Sequence, residues 1–222
     1  MTNKVSINYP NKPTISLQPI SREAKYEMFL NRKSVRKFLD KNLSFDILSK
    51  LLYYSLGNTH FATITEEKTG KKINFSYRAY PSAGALYSID VYLGIINVDG
   101  LGIGIYYYNT EKNALEYVKP IDKSQIIDPI IDKVGLDVNN SSVLFYLVAN
   151  FWRSRKKYGE RSYRYVLQES GHIGQNISLV CTTLGLGAVA IGGYYDDEAN
   201  KLVNVDGVDR SVIYLLVVGI NE

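Results

Sequence analysis

The chain has 222 residues, 45% of them hydrophobic and 22% charged, with a formal net charge of +4. Those proportions fit one globular core and exclude a collagen-like, low-complexity or disordered chain. A single cysteine, Cys181, excludes an internal disulfide and fits a reducing compartment.

Residues 1–20 hold three of the six prolines and little periodicity, and they read as an extended N-terminal arm. They contain no signal-like apolar run, and no later segment has the length of a membrane span, so a cytoplasmic protein that binds no membrane is expected. Residues 21–222 read as a single domain. Ser21 caps a helix running to Leu30. A second helix follows Ser44, with an apolar stripe of Phe45, Leu48, Leu51, Leu52 and Leu56 and a stop at Gly57. Residues 58–77 are polar and include Gly70, which reads as a long loop.

Strand signals follow at 89–96, 104–108 and 115–118, separated by turn residues. A helix is expected over 123–134. Residues 142–149 form a nearly continuous apolar run of strand length, which reads as a central strand. A long helix is expected over 157–184, with Val166, Ser170, Ile173, Ile177, Val180 and Leu184 on one face. Its other face carries Lys157, Arg161, Arg164, Gln168, His172 and Gln175, turned to solvent, a cleft or a subunit partner. A short strand at 188–191, a helix to Val203 capped by Asp196 and Asp197, and a buried strand at 212–218 complete an α+β layer structure.

Three segments carry possible chemistry. Arg32, Ser34 and Arg36 put two forked guanidiniums and a hydroxyl just past a helix, a set suited to phosphate, though a solvated basic face has the same composition. Pro81, Ser82, Ala83, Gly84 and Ala85 form a turn of small residues running into a strand, where backbone amides can approach a flat or anionic ligand. Residues 185–193 hold four glycines around a short apolar run. They follow a helix instead of opening one, which excludes a dinucleotide fingerprint. The two histidines and one cysteine give no metal-ligand spacing, and no metal is expected. The basic run from Arg153 to Lys157 is too small to predict nucleic-acid binding.

Taken in order and separation, the three segments resemble the nitroreductase superfamily. Residues 32–38, 81–87, 100–108, 163–176 and 185–193 together look like its streptolysin-type and microcin-type azoline dehydrogenase branch, over nearly the whole chain from Arg32 to Gly219. The resemblance implies a nitroreductase-like fold, with a central, mostly antiparallel sheet flanked by helices. It implies a homodimer with one FMN at each of two interface sites. Arg32, Ser34 and Arg36 would hold the phosphate and the pyrimidine edge of the flavin, and residues 81–85 of the other subunit would lie against its ring. Ile191, Gly192 and Gly193 would offer backbone donors near N5, with no side chain to block approach. No lysine or arginine follows Arg210, so the basic tail that helps many nitroreductases hold phosphate has no counterpart here, and the partner subunit or Arg164 is expected to compensate.

Peptide-tailoring members of that branch oxidise thiazolines or oxazolines to thiazoles or oxazoles, and the resemblance implies a cyclodehydratase as a candidate partner. They carry a lysine–tyrosine pair associated with catalysis, which Lys157 and Tyr158 match. One ring carbon loses a proton and its neighbour a hydride, so a base is required. A free phenol, with a pKa of about 10, is a poor one unless a nearby ammonium favours its ionised form, and a desolvated lysine can serve instead. Two alternatives stand beside this reading: an NAD(P)H-dependent nitroreductase or flavin reductase, and a non-catalytic flavin-binding scaffold for a cyclodehydratase complex.

Overall fold

The computed structural model describes residues 12–66, 69–131, 133 and 135–222. The first eleven residues of the expected arm lie outside the described residues, and 12–22 are exposed without helix or strand. Residues 21–23 stay extended, so Ser21 caps nothing. A single 3-10 turn (Ala24–Tyr26) leads into α1 (Glu27–Asn31), whose N-cap position is Tyr26. No residue of α1 is buried. Helix α2 (Phe45–Leu56) is as expected, with Ser44 Oγ accepting from the Ile47 amide at 3.2 Å and Gly57 at its end. Its buried residues include Leu48, Leu51, Leu52 and Leu56, while Phe45 is half exposed and lies off the stripe.

The segment expected as a loop is a β-hairpin. Strand β1 (Asn58–Thr65) pairs antiparallel with β2 (Lys72–Arg78) through a turn containing Gly70 at φ 68°. Ala62 faces Phe75 and His60 faces Tyr77 on one side of the ribbon, while Phe61, Thr63 and Asn74 lie on the other. The polar residues between the apolar ones mask this alternation in the sequence.

Six strands form the main sheet: β3 (Ile89–Ile95), β4 (Gly104–Asn109), β5 (Ala114–Pro120), β6 (Val143–Asn150), β7 (Leu186–Ile191) and β8 (Arg210–Ile220). Their order is β5-β4-β3-β6-β8-β7, with every pair antiparallel. Strand β6 is central, and residues 143–149 are fully buried. Val143, Phe145 and Leu147 join the core under α2 and α5 (Ser162–Thr183), whereas Leu144, Tyr146 and Val148 join a second core under α3 (Lys123–Ile127) and α6 (Asp196–Leu202). A strand with two covered faces needs an unbroken apolar run, and each large side chain so buried contributes roughly 1.5–3 kcal/mol. The Tyr146 hydroxyl donates to the Ile126 carbonyl at 2.6 Å, tying α3 to the middle of the sheet.

Three other expectations change. Helix α3 ends at Ile127, because Pro129 lacks the amide a longer helix needs; Val134, where it was expected to end, lies outside the described residues. Asp196 and Asp197 fall in the first turn of α6, and Tyr195 takes its N-cap position. The long helix is two helices. Helix α4 (Phe151–Tyr158) ends at Gly159, whose φ of 57° and ψ of −139° interrupt the chain before a 3-10 turn (Gly159–Arg161) and α5. Among the described residues no helix is long and apolar enough to cross a membrane.

Candidate active site

The turn entering β3 is built on left-handed backbone. Gly84 has φ 63°, Ala85 53° and Tyr87 49°. That region is natural for glycine and costs other residues about 1–2 kcal/mol each, so the turn must be held from outside. Ser82 closes it, its hydroxyl accepting from the Tyr87 amide at 2.9 Å and donating to Glu169 Oε2 at 2.5 Å. Glu169, on α5, is 3% exposed, and its second oxygen accepts from the Ile89 amide at 3.1 Å. Burial pushes the Glu169 carboxyl above its ordinary pKa, and hydrogen bonds from Ser82 and the Ser88 and Ile89 amides act in the opposite sense. His172 Nδ1 lies 3.3 Å from the Pro81 carbonyl oxygen.

A second anchor comes from α4. Arg153 donates to the Tyr87 carbonyl at 3.0 Å and to both oxygens of Asp90 at 2.7 and 3.1 Å. Arg210 also donates to Asp90, at 3.3 Å, and to the Tyr92 hydroxyl at 2.9 Å. Asp90 is 6% exposed, so two guanidiniums compensate its burial. Arg155 pairs with Glu160 at 2.9 Å. The basic run at 153–157 thus splits: Arg153 makes a structural ion pair and Arg155 a surface pair, and Lys156 and Lys157 follow.

One turn of helix beyond Arg153, α4 delivers Lys157 and Tyr158 to the same loop. A Cβ built on Gly84 would lie 2.5 Å from the Tyr158 hydroxyl and 2.8 Å from Lys157 Nζ. The lysine ammonium sits 5.3 Å from the centre of the Tyr158 ring, and Tyr165 packs edge-on against that ring at 5.0 Å. Adjacent residues on a helix point about 100° apart, yet both side chains end at one glycine, because they occupy the last turn of α4, where the helix stops. A phenol and an ammonium beside open backbone can exchange a proton with a ligand lying on the turn.

The other expected site residues gather on a different edge. The Val35 amide donates to the Ala188 carbonyl at 3.0 Å, so residues 32–38 run along the outer edge of β7. Val35 and Phe38 pack over Gly187, while Arg32, Ser34 and Arg36 are exposed. Among the described residues neither arginine has a salt-bridge partner; Arg36 reaches only the Ser34 carbonyl, at 3.5 Å. Gly192 and Gly193 are exposed and have open space where a side chain would stand. The chain leaves β7 at Ile191 toward the end of the sheet where Ile89 enters β3, with β6 and β8 between them. At roughly 4.8 Å per strand, that is about 14 Å across the sheet, and Ile191 is level with Tyr92 along it, not with Ile89.

Within one chain the structure therefore joins residues 81–85 to Lys157 and Tyr158, and Arg32, Ser34 and Arg36 to the β7 edge, but not one set to the other. Glu169, Arg153 and Asp90 support the site and were not picked out as site residues in the sequence. The signal for Glu169 was an acidic residue one step from the apolar stripe of α5. The sequence had no counterpart for the Arg153–Asp90 pair, which closes over 63 residues. Among the described residues no cluster of His, Cys, Asp or Glu is placed to hold a metal.

Comparison with known proteins follows the same outline. A family model described as the nitroreductase family matches residues 30–220. The Methanocaldococcus jannaschii protein MJ1384, described as a candidate nitroreductase, is 29% identical over 197 residues, covering 86% of this chain and 91% of its own. The microcin B17-processing protein McbC of Escherichia coli is 29% identical over 187 residues, covering 81% of this chain and 63% of McbC. The trifolitoxin-processing protein TfxB of Rhizobium leguminosarum bv. trifolii is 29% identical over 154 residues, 67% of this chain and 39% of TfxB. This chain therefore spans less than two thirds of both peptide-processing relatives. The E. coli microcin synthetase McbBCD complex, solved with truncated pro-MccB17 bound, contains a chain that superposes with a TM-score of 0.76 at 25% identity, covering 99% of this chain and 79% of that one.

Proposed function

The chain belongs to the nitroreductase family, and from that premise we propose that it is an FMN-dependent oxidoreductase that converts thiazoline or oxazoline rings in a peptide to thiazoles or oxazoles. The observation that carries this reading is the convergence of the Tyr158 hydroxyl and the Lys157 ammonium on Gly84. The likeness to McbC, TfxB and the McbBCD complex supports a peptide as substrate and other enzymes of peptide modification, such as a cyclodehydratase, as partners.

The residues present fit a flavin. Arg32 and Arg36 are exposed guanidiniums beside the Ser34 hydroxyl, suited to a phosphate, and the open backbone at Gly192 and Gly193 leaves room for a flat ring. Bound FMN would supply the acceptor for the hydride that leaves the azoline. Tyr158 as a phenolate, favoured by the neighbouring ammonium, or Lys157 as a free amine takes the proton from the neighbouring ring carbon, and the electron pair of that C–H bond becomes the new ring double bond. Glu169 and Arg153 hold the loop and helix that set this geometry. The two sets of residues lie apart in one chain, which favours a homodimer in which each site takes one set from each subunit.

The test is to load the purified protein with FMN and incubate it with an azoline peptide in air. The product should lose two hydrogens by mass, and Tyr158→Phe or Lys157→Ala should lower kcat by about a hundredfold, the usual scale for general-base loss. Full activity in both variants would remove the pair from catalysis. A second reading, an NAD(P)H-dependent nitroreductase or flavin reductase, is favoured by the match to MJ1384 over 91% of its length. It predicts bleaching of the flavin by NAD(P)H alone, without an azoline. Bound FMN with no turnover of either kind would leave the scaffold reading.

A further inference from the structure

A cleft of about 580 Å³ opens between the β1–β2 hairpin and the turn that enters β3. Ile64, Phe75 and Tyr77 form its hairpin wall, Pro81 and Ala85 its opposite wall, and Arg78 reaches into it. The walls are mostly apolar, and Arg78 is the one charged residue among those lining it. The Arg78 guanidinium stacks on the Tyr87 ring at 4.6 Å and donates to the Tyr80 hydroxyl at 2.9 Å. Its buried Nε has no hydrogen-bond partner, and among the described residues it makes no ion pair. Among the described residues the guanidinium makes one hydrogen bond, to Tyr80, so other N–H donors remain for an oxygen that enters the cleft. Gly84 lines the same cleft, and directly behind Gly84 stand Tyr158 and Lys157.

We infer that this cleft is the subsite for the peptide segment flanking the reacting ring, with an apolar side chain against Ile64 and Phe75 and a carbonyl or carboxylate oxygen on Arg78. Charge complementarity selects the occupant: a lone cation among apolar walls fits a segment that brings oxygen acceptors and hydrocarbon but no second cation. Continuity with Gly84 selects the role, because a segment held there carries its neighbouring ring toward the lysine and tyrosine. This inference rests on the peptide-oxidising reading, and it supplies that reading with a determinant of substrate choice.

The test uses the FMN-loaded full chain and a short fluorescent peptide with one phenylalanine beside one thiazole, made with either a free carboxylate or an N-methylamide on the thiazole acyl group. Binding is read by anisotropy. Arg78→Met should weaken it about tenfold or more, and Ile64→Trp, which fills the cleft from the hairpin side, should weaken it comparably, with FMN content and melting temperature close to wild type. If Arg78→Met weakens only the carboxylate form, the oxygen is that of an anion; if it weakens both forms equally, it is a peptide carbonyl. The inference is overturned if both variants bind within twofold of wild type. It is also overturned if wild type binds neither form, as a second copy seated in the cleft would produce, or if Arg78→Met releases FMN while peptide binding persists. Azoline turnover is measured separately. Arg78-dependent binding without turnover would sink the oxidation reading and leave the cleft assignment standing.

Discussion

Gly84 is the residue on which the candidate site turns. Its φ of 63° makes any side chain unfavourable by about 1–2 kcal/mol. The atoms a Cβ would strike are the flexible ends of Tyr158 and Lys157, so they and not the backbone would move. Gly84→Ala is therefore expected to fold, to lose about 1–2 kcal/mol of stability in urea, and to lose kcat out of proportion to that change. Glu169 acts differently, through the loop. Glu169→Ala leaves Ser82 and the Ile89 amide without their acceptor, at a cost of roughly 1–3 kcal/mol per buried donor, measurable by chemical denaturation. Its raised pKa also fixes a sign. The folded state binds the Glu169 proton more tightly than the unfolded chain does, so this group's contribution to stability falls as pH rises from the unfolded value of about 4.3 through the raised folded value. Glu169→Gln should remove that slope from the pH–stability curve, and an unchanged slope would assign it to other groups.

Among the elements, α4 was hardest to read from sequence. Its residues 151–156 lie between the strand expected at 142–149 and the helix expected from 157, and the part Arg153 plays shows only against Asp90. The break at Gly159 looked like a tolerated glycine within one helix, since a lone glycine in a helical pattern has no sequence mark of its φ and ψ. Gly159→Ala separates backbone strain from crowding, because nothing lies within 4 Å of the added Cβ. It should destabilise by about 1–3 kcal/mol, from strain alone, and should shift α4 and lower activity with it, as melting curves and kcat will report. The hairpin was missed for another reason. Thr59, Thr63, Asn74 and Ser76 dilute the alternation, and pairing across the turn, not composition, makes the segment a ribbon.

At the scale of the whole molecule, the proposed function requires two copies of the chain to complete each site. Mixing an Arg32→Ala/Arg36→Ala chain with a Lys157→Ala/Tyr158→Phe chain tests this directly. Each variant should be inactive alone. Random reassortment should restore about a quarter of wild-type activity, because half the dimers are mixed and each contains one intact site of two. No recovery after subunit exchange would mean that both sets serve a site within a single chain. The exposed apolar residues Ile15, Leu17, Ile20, Phe29 and Leu30 offer a surface for that association, with Ile15, Leu17 and Ile20 each at least 85% exposed in the isolated chain.

The amino-acid sequence by itself determined the α+β class, the buried central strand, the Ser44-capped helix and the family, because periodicity, caps and motif order are local properties that survive in one dimension. It also named the small-residue turn from its residue types, and Lys157 and Tyr158 from resemblance, but as separate motifs. Only the tertiary structure decided that they meet at Gly84, that Glu169 and Arg153 hold them there, and that Arg78 faces a cleft beside them. The contacts that Glu169 and Arg153 make with Ser82 and Asp90 join residues 87 and 63 positions apart. They depend on which strands pair and where a helix stops, and chain order does not record either.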